Sequence, residues 1–116
     1  MEDNILEATA SLRNLNGSAR KARLVLDLIR GKRVYEAKNI LQFSNKRMAT
    51  HIHKLLNSAC ANATQAEARV DVDNLIIDKA FADGGPTRRK WLSRAKGSAT
   101  TIHKRSCHIT IGISRI

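Results

Sequence analysis

A strict two-residue alternation of apolar and polar residues runs close to the end of the chain. Its apolar members are Cys107, Ile109, Ile111 and Ile113, and the residues between them are polar or glycine. This period is typical of a β-strand with one buried face, and it is the clearest strand pattern in the sequence. Because an isolated strand leaves backbone N–H and C=O groups unpaired, the segment must lie in a sheet.

Three segments have the 3.6-residue period of helices instead. Ser18 is suited to cap the first, and Gly31 to end it in a left-handed conformation. The second is predicted at 34–43 and the third at about 46–67, with 44–45 as the break that can cap it. The predicted buried faces are Ala22, Val25, Leu26 and Ile29; then Val34, Ala37, Ile40 and Leu41; then Met48, Ile52, Leu55, Leu56, Ala59, Ala63 and Ala66.

Two other segments show strand alternation. One covers residues 6–13 and is followed by a predicted loop at 14–17. The other begins at Val70, where valines alternate with aspartates, and continues to Ala82. We expect it to pair antiparallel with the strand at the end of the chain, through an extended connection.

That connection cannot bury a core of its own. Residues 87–104 contain Trp91, Leu92 and Ile102 but otherwise almost no large apolar side chains. An isolated two-stranded ribbon is marginally stable in water. We therefore expect this arm to be ordered by a partner, and its positive charge makes that partner an anion.

The charge is concentrated in two blocks. The chain has 21 Lys and Arg against 10 Asp and Glu, a formal net charge of +11. Residues 13–33 hold seven basic residues and one acid, and residues 84–105 hold seven basic residues and no acid. This distribution indicates a polyanionic partner, a nucleic acid or an acidic membrane surface. The candidate RNA-binding residues are Arg13, Arg20, Lys21, Arg23, Arg30, Lys32, Arg33, Arg88, Arg89, Lys90, Trp91, Arg94, Lys96, Lys104 and Arg105.

Two of these assignments have a competing interpretation. Arg20, Arg23 and Arg30 form one helical stripe that can contact phosphates, or it can be a solvated face on which Asp27 pairs with an arginine. Trp91 can stack on a base or pack on the arm itself.

Other chemistry finds little support in the sequence. His51 and His53 diverge on a helix, and His103 and His108 have no zinc-ligand spacing with the cysteines, so neither a metal nor another cofactor is expected. Cys60 is expected to be a small core residue, and two distant cysteines suit a reducing compartment. No catalytic motif is found in the sequence, so an enzyme is not expected. We also expect neither a membrane span nor a secretory leader.

Several segments resemble one family over nearly the whole chain. Residues 18–32, SARKARLVLDLIRGK, are similar to the first-helix signature of protein twenty-two of the large ribosomal subunit in its bacterial form. Residues 55–63 resemble its third helix, and residues 85–87, 94–97 and 104–109 resemble its hairpin and return strand.

The resemblance implies an α+β fold in which three helices pack on a three-stranded antiparallel sheet, with a long protruding hairpin. Residues 1–82 and 106–116 would form the body of a single domain, and 83–105 the arm. It implies a non-catalytic scaffold that binds large-subunit rRNA and neighbouring proteins, supports assembly and acts in a cytoplasmic or organellar ribosome. The arm would line the nascent-peptide tunnel through Arg88, Arg89, Lys90, Trp91 and Arg94.

A second hypothesis is that the chain is a free nucleic-acid chaperone or DNA-binding protein. A membrane-active basic protein ranks behind both. The first helix offers only Arg and Lys, whereas DNA recognition helices usually add Asn or Gln at base-facing positions. Two basic blocks on a nearly neutral body favour one large folded RNA. We therefore expect the chain to bind neither DNA nor a membrane. We also expect it to form no homo-oligomer.

Overall fold

The computed structural model describes residues 7–93, 97 and 99–114. Three helices and three strands make an α+β body. The elements in chain order are β1 Glu7–Asn16, α1 Ala19–Ile29, α2 Val34–Gln42, α3 Arg47–Ala66, a 3-10 turn at Val72–Asn74, β2 Ile76–Gly84, β3 Arg88–Ser93, β4 Ala99–Lys104 and β5 Ser106–Ser114.

The predicted strand at the end of the chain, β5, lies in the centre of the main sheet. The strand order is β1-β5-β2, and both pairings are antiparallel. Its isoleucines are fully buried beneath the helices, where α3 packs on β1 and β5 and α1 packs on β2. Ile111 stands opposite Ala10 on one side and Ala80 on the other, so a large central residue alternates with small flanking ones.

The first helix follows its sequence pattern closely. The Arg20 N–H donates to the Ser18 hydroxyl oxygen at 3.2 Å, which confirms the predicted cap. All four predicted core residues of α1 are buried, and Gly31 has φ +79°, a conformation that glycine adopts without Cβ strain. The Gly31 N–H then donates to the Ile77 carbonyl, so the helix end is fastened to β2.

Three predictions about element boundaries are wrong. The expected loop at 14–17 is mostly strand, because β1 continues to Asn16 through a bulge opposite β5. The expected strand at 70–73 is a 3-10 turn over Val72–Asn74, in which the Asn74 side-chain amide donates to the Asp71 carboxylate. Lys46, and not residues 44–45, is the N-cap of α3, although the Ser44 hydroxyl accepts from its N–H.

The predicted helix faces are otherwise correct except at two positions. Ala66, in the last turn of α3, is exposed, and Ile40 in α2 is only partly buried. The other predicted members of both faces are buried.

A second, two-stranded sheet is formed by β3 and β4. Arg88 stands opposite Lys104, and the register continues to Ser93 opposite Ala99. The molecule extends over 71 × 27 × 18 Å, with a radius of gyration of 17.7 Å, against about 13 Å for a compact chain of this length. The turn of the predicted hairpin includes residues 94–96 and 98, which lie outside the described residues, so a single long hairpin stays a prediction.

Candidate nucleic-acid interface

The basic residues of α1 divide into two groups. Arg20 and Lys21, in the first turn, are exposed, and their side chains have no hydrogen-bond or ion-pair partner in the described part of the chain. Arg23 and Arg30 instead extend to the free edge of β2. Only the first group is wholly available to an external anion.

The free edge of β2 explains this division. β2 pairs with β5 on one side, and on its other side the described residues form only the isolated bridge between Arg33 and Ile76, so the carbonyls beyond that bridge need other donors. The Arg23 Nε–H donates to the Ala82 carbonyl at 3.0 Å, and the Arg30 Nε–H donates to the Ala80 carbonyl at 3.0 Å. The 31–34 connection covers the beginning of this edge, since the Gly31 N–H donates to the Ile77 carbonyl and the Val34 N–H donates to the Leu75 carbonyl just before β2, both at 2.9 Å.

All three guanidinium nitrogens of Arg30 have partners. Nε and Nη2 donate to the Ala80 carbonyl, and Nη1 contacts the Asp27 carboxylate at 2.6 Å. The ion pair considered as the alternative for this stripe is therefore present. Among the contacts within the described ranges Arg23 uses only Nε, so its two terminal nitrogens remain available to a phosphate.

We expect Arg30→Ala to lower the free energy of unfolding by about 1–2 kcal/mol, since it removes charge-assisted hydrogen bonds to a sheet edge that is partly solvated. Lys21→Ala, on the same helix but without an intramolecular partner, is expected to change it by less than about 0.5 kcal/mol. Urea unfolding of both variants measures the difference. Equal values would mean that Arg30 does not stabilise the edge of β2.

Of the remaining basic residues of the first block, Lys32 and Arg33 lie beside this edge, whereas Arg13 lies in β1 on the opposite side of the sheet. Lys32 is exposed, and its carbonyl accepts from the Ile77 N–H. Arg33 is the N-cap of α2, and its Nη1 donates to the Asn74 side-chain oxygen at 3.4 Å. Arg13 is exposed in the bulge of β1.

The second block meets the body at the base of β3 and β4. Arg88, Lys104 and Arg105 line one cavity of about 530 Å³ there, and Arg89 is exposed in β3. The backbone of Lys90 and Trp91 lies in β3, while their side chains lie outside the described part of the structure. Arg94 and Lys96 lie outside the described residues.

The structure adds Arg47 to this second group, a residue that the sequence did not single out. Arg47 is the first residue of α3 and lines the same cavity, together with Asn14 and Asn16 of β1. It is separated from both basic blocks in the sequence, so only the tertiary fold brings it there. Two features of the sequence could have drawn attention to it: the adjacent cation Lys46, and the absence of an acidic residue from the first turn of α3.

The two cysteines and His108 have defined contacts or burial within the fold. Cys60 and Cys107 are buried, and burial raises the pKa of both thiols, so they stay protonated at neutral pH. Nδ1 of His108 accepts from the Asn14 N–H at 3.1 Å. The described ranges contain no group of three or more His, Cys, Asp or Glu residues that could hold a metal ion.

No helix of the described chain combines the length and apolar character that a membrane crossing requires.

Comparison with known proteins identifies the family to which the chain is similar. Residues 10–114 match the family model described as ribosomal protein L22p/L17e. The chain is 46% identical over 114 residues to "Large ribosomal subunit protein uL22" of Latilactobacillus sakei subsp. sakei, covering 98% of this chain and 97% of the relative. Proteins of the same name from Ligilactobacillus salivarius and Syntrophotalea carbinolica are also 46% identical, over 98% and 91% of this chain and 98% and 96% of their own lengths.

These matches extend over both the helical body and the second basic block. The chain therefore belongs to the ribosomal protein L22p/L17e family, as a structural component of the ribosome and not an enzyme.

Proposed function

We propose that this chain is a structural constituent of the large ribosomal subunit, that it binds large-subunit rRNA through its two basic surfaces, and that it supports subunit assembly. The observation that carries the proposal is its match, over almost its full length, with proteins named as large-subunit components. Its exposed cations support RNA contact. In the described part of the chain Asp27–Arg30 is the ion pair observed, so most basic side chains are not neutralised internally.

The proposed organisation is one domain with two parts. Residues 1–82 and 106–116 form the body, and residues 83–105 form an arm. The separate pairing of β3 with β4 supports this division. At the junction the Gly85 N–H donates to the Ser106 carbonyl, and the Ser106 hydroxyl donates to the Pro86 carbonyl at 2.6 Å.

The arm is proposed to line the nascent-peptide tunnel through Arg89, Lys90, Trp91 and Arg94. Arg88, which the resemblance also assigned to the tip, instead lines the cavity at the base of the arm, where it stands opposite Lys104. The elongated shape of the molecule suits an element that reaches away from the body. Its partners would then be rRNA, neighbouring large-subunit proteins and the nascent chain. Exposed Leu24, Leu28 and Phe43 on the body offer apolar surface to such neighbours.

A DNA-binding role is less well supported by the same geometry. A recognition helix presents its polar side chains to base edges. In α1, Arg30 is wholly engaged and Arg23 partly engaged by carbonyls of β2. The helix therefore offers few groups that could read a groove.

RNA binding by the purified chain is expected to depend steeply on salt. If about eight side chains contact phosphates, the slope of log K against log salt concentration should be of order −6 to −7. Filter binding to a large-subunit rRNA transcript between 50 and 400 mM KCl provides the measurement. A slope shallower than about −2 would exclude binding through two basic surfaces.

Deletion of residues 91–94 should leave the melting temperature nearly unchanged. The segment from 87 to 97 contributes little apolar surface, so it adds little to the core. The variant should still enter the large subunit but alter nascent-chain stalling or the response to antibiotics that bind in the tunnel. A large fall in melting temperature would show that the tip packs on the body.

A further inference from the structure

The cavity at the base of β3 and β4 combines charge and hydrogen-bonding groups from distant parts of the chain. Its cations are Arg47 from α3 and Arg88, Lys104 and Arg105 from the second basic block. Its amides are Asn14 and Asn16 from β1, and no Asp or Glu is among the described residues that line it.

The bulge in β1 builds the amide side of this cavity. Leu12 stands opposite Ile109 and Leu15 opposite Cys107, so two residues of β1 face the single residue His108. Asn14 takes up the extra length with φ +58°, in the left-handed region, and its N–H donates to Nδ1 of His108. Bulges often redirect side chains near functional sites, and this one brings Asn14 and Asn16 to the same cavity.

The cationic side of the cavity is not neutralised from within the protein. Within the described ranges, the side chains of Arg47, Arg88, Lys104 and Arg105 have no hydrogen-bond or ion-pair partner. Four like charges around one cavity repel each other, and a bound anion relieves that repulsion. Arg47 also stands at the first residue of a 20-residue helix, where the helix dipole favours negative charge.

The amides and the volume favour a nucleotide over a bare phosphate. Asn side chains carry both a donor and an acceptor, the pair of groups that reads a base edge. The volume of about 530 Å³ falls within the range of small-ligand pockets. Proteins that read RNA sequence usually take unpaired nucleotides, whose base edges are free.

We propose that this cavity binds one unpaired nucleotide of rRNA, with its phosphate held by the cations and its base edge contacted by Asn14 or Asn16. The assignment rests on the proposed rRNA-binding function and specifies one contact within it.

Two variants separate the phosphate contact from the base contact. Arg47→Gln removes one cation, so the salt slope should become shallower by about 0.7–0.9 and the affinity should fall about fivefold at 0.15 M salt. Asn14→Gly removes the amide while keeping the left-handed backbone, which glycine adopts freely. It should lower affinity at least about fivefold without changing the salt slope.

Hydroxyl-radical footprinting of the rRNA locates both effects. Each variant should lose protection at the same nucleotide and its immediate neighbours. Lys79→Gln, an exposed cation on β2 that does not line the cavity, and Asn57→Ala, an exposed amide on α3, serve as matched controls that keep this protection. Thermal melts of all four variants confirm that each is folded.

The outcomes distinguish the two levels of the proposal. If the wild-type chain leaves no footprint on rRNA, the proposed function fails, and the cavity assignment fails with it. If the wild-type footprint is present but neither cavity variant alters it, the nucleotide assignment alone is wrong. An unchanged footprint with poor incorporation into large subunits would assign the cavity to an acidic segment of a neighbouring protein instead.

Discussion

Replacing Arg88, Arg89, Lys104 and Arg105 together by glutamine is expected to weaken binding to large-subunit rRNA about 10²–10³-fold at 0.15 M salt. All four are exposed or line the cavity at the base of β3 and β4, and none is needed to complete the core. If each neutralises one phosphate, their loss also makes the salt slope shallower by about 3.

The matched control replaces four cations that lie outside both basic blocks, Lys38, Lys54, Arg69 and Lys79, by glutamine. This variant has the same net charge as the first. It should keep most of the affinity, because its four replaced cations lie outside the two basic blocks that are proposed to contact the RNA. Equal losses in the two variants would mean that overall charge, and not a defined surface, holds the RNA.

The largest effect on stability is expected for Ile111→Ala. Ile111 is fully buried in the central strand β5, between Ala10 of β1 and Ala80 of β2. Because these alanines are too small to fill the space, the variant should lose about 2–5 kcal/mol. The melting temperature should fall by at least about 10 °C.

Calorimetry or a thermal circular-dichroism melt measures this loss. Ile111→Val, which removes a single methyl group, is the control and should cost about 0.5–1.5 kcal/mol. A loss below about 1 kcal/mol for the alanine variant would contradict the placement of β5 at the centre of the core.

The helices and β5 were predictable because their periodic patterns reflect one buried face each. The bulge in β1 was not, because a bulge depends on register with a strand almost 100 residues away. The sequence therefore predicts a loop at Asn14, whereas in the structure its backbone N–H donates to Nδ1 of His108. At residues 70–73 the alternation was misleading, since side-chain and backbone bonds between Asp71 and Asn74 favour a turn.

The candidate interface was predictable as two blocks of charge but not as individual contacts. A helical stripe of arginines has the same sequence pattern whether it faces solvent, RNA or a neighbouring strand. Arg23 and Arg30 face the edge of β2 because no other strand of the described chain pairs along that edge, and this follows from the topology and not from the helix pattern. Arg47 joins the second block only because α3 begins beside the base of β3 and β4.

The most direct test of the account is whether the chain is a bound component of the large subunit. An epitope-tagged chain is expressed in cells, and the subunits are separated by sucrose-gradient centrifugation after a high-salt wash. We predict that the tag sediments with the large subunit, at about one copy per particle by quantitative immunoblot. A tag found at the top of the gradient, or with the small subunit, would contradict the proposed function.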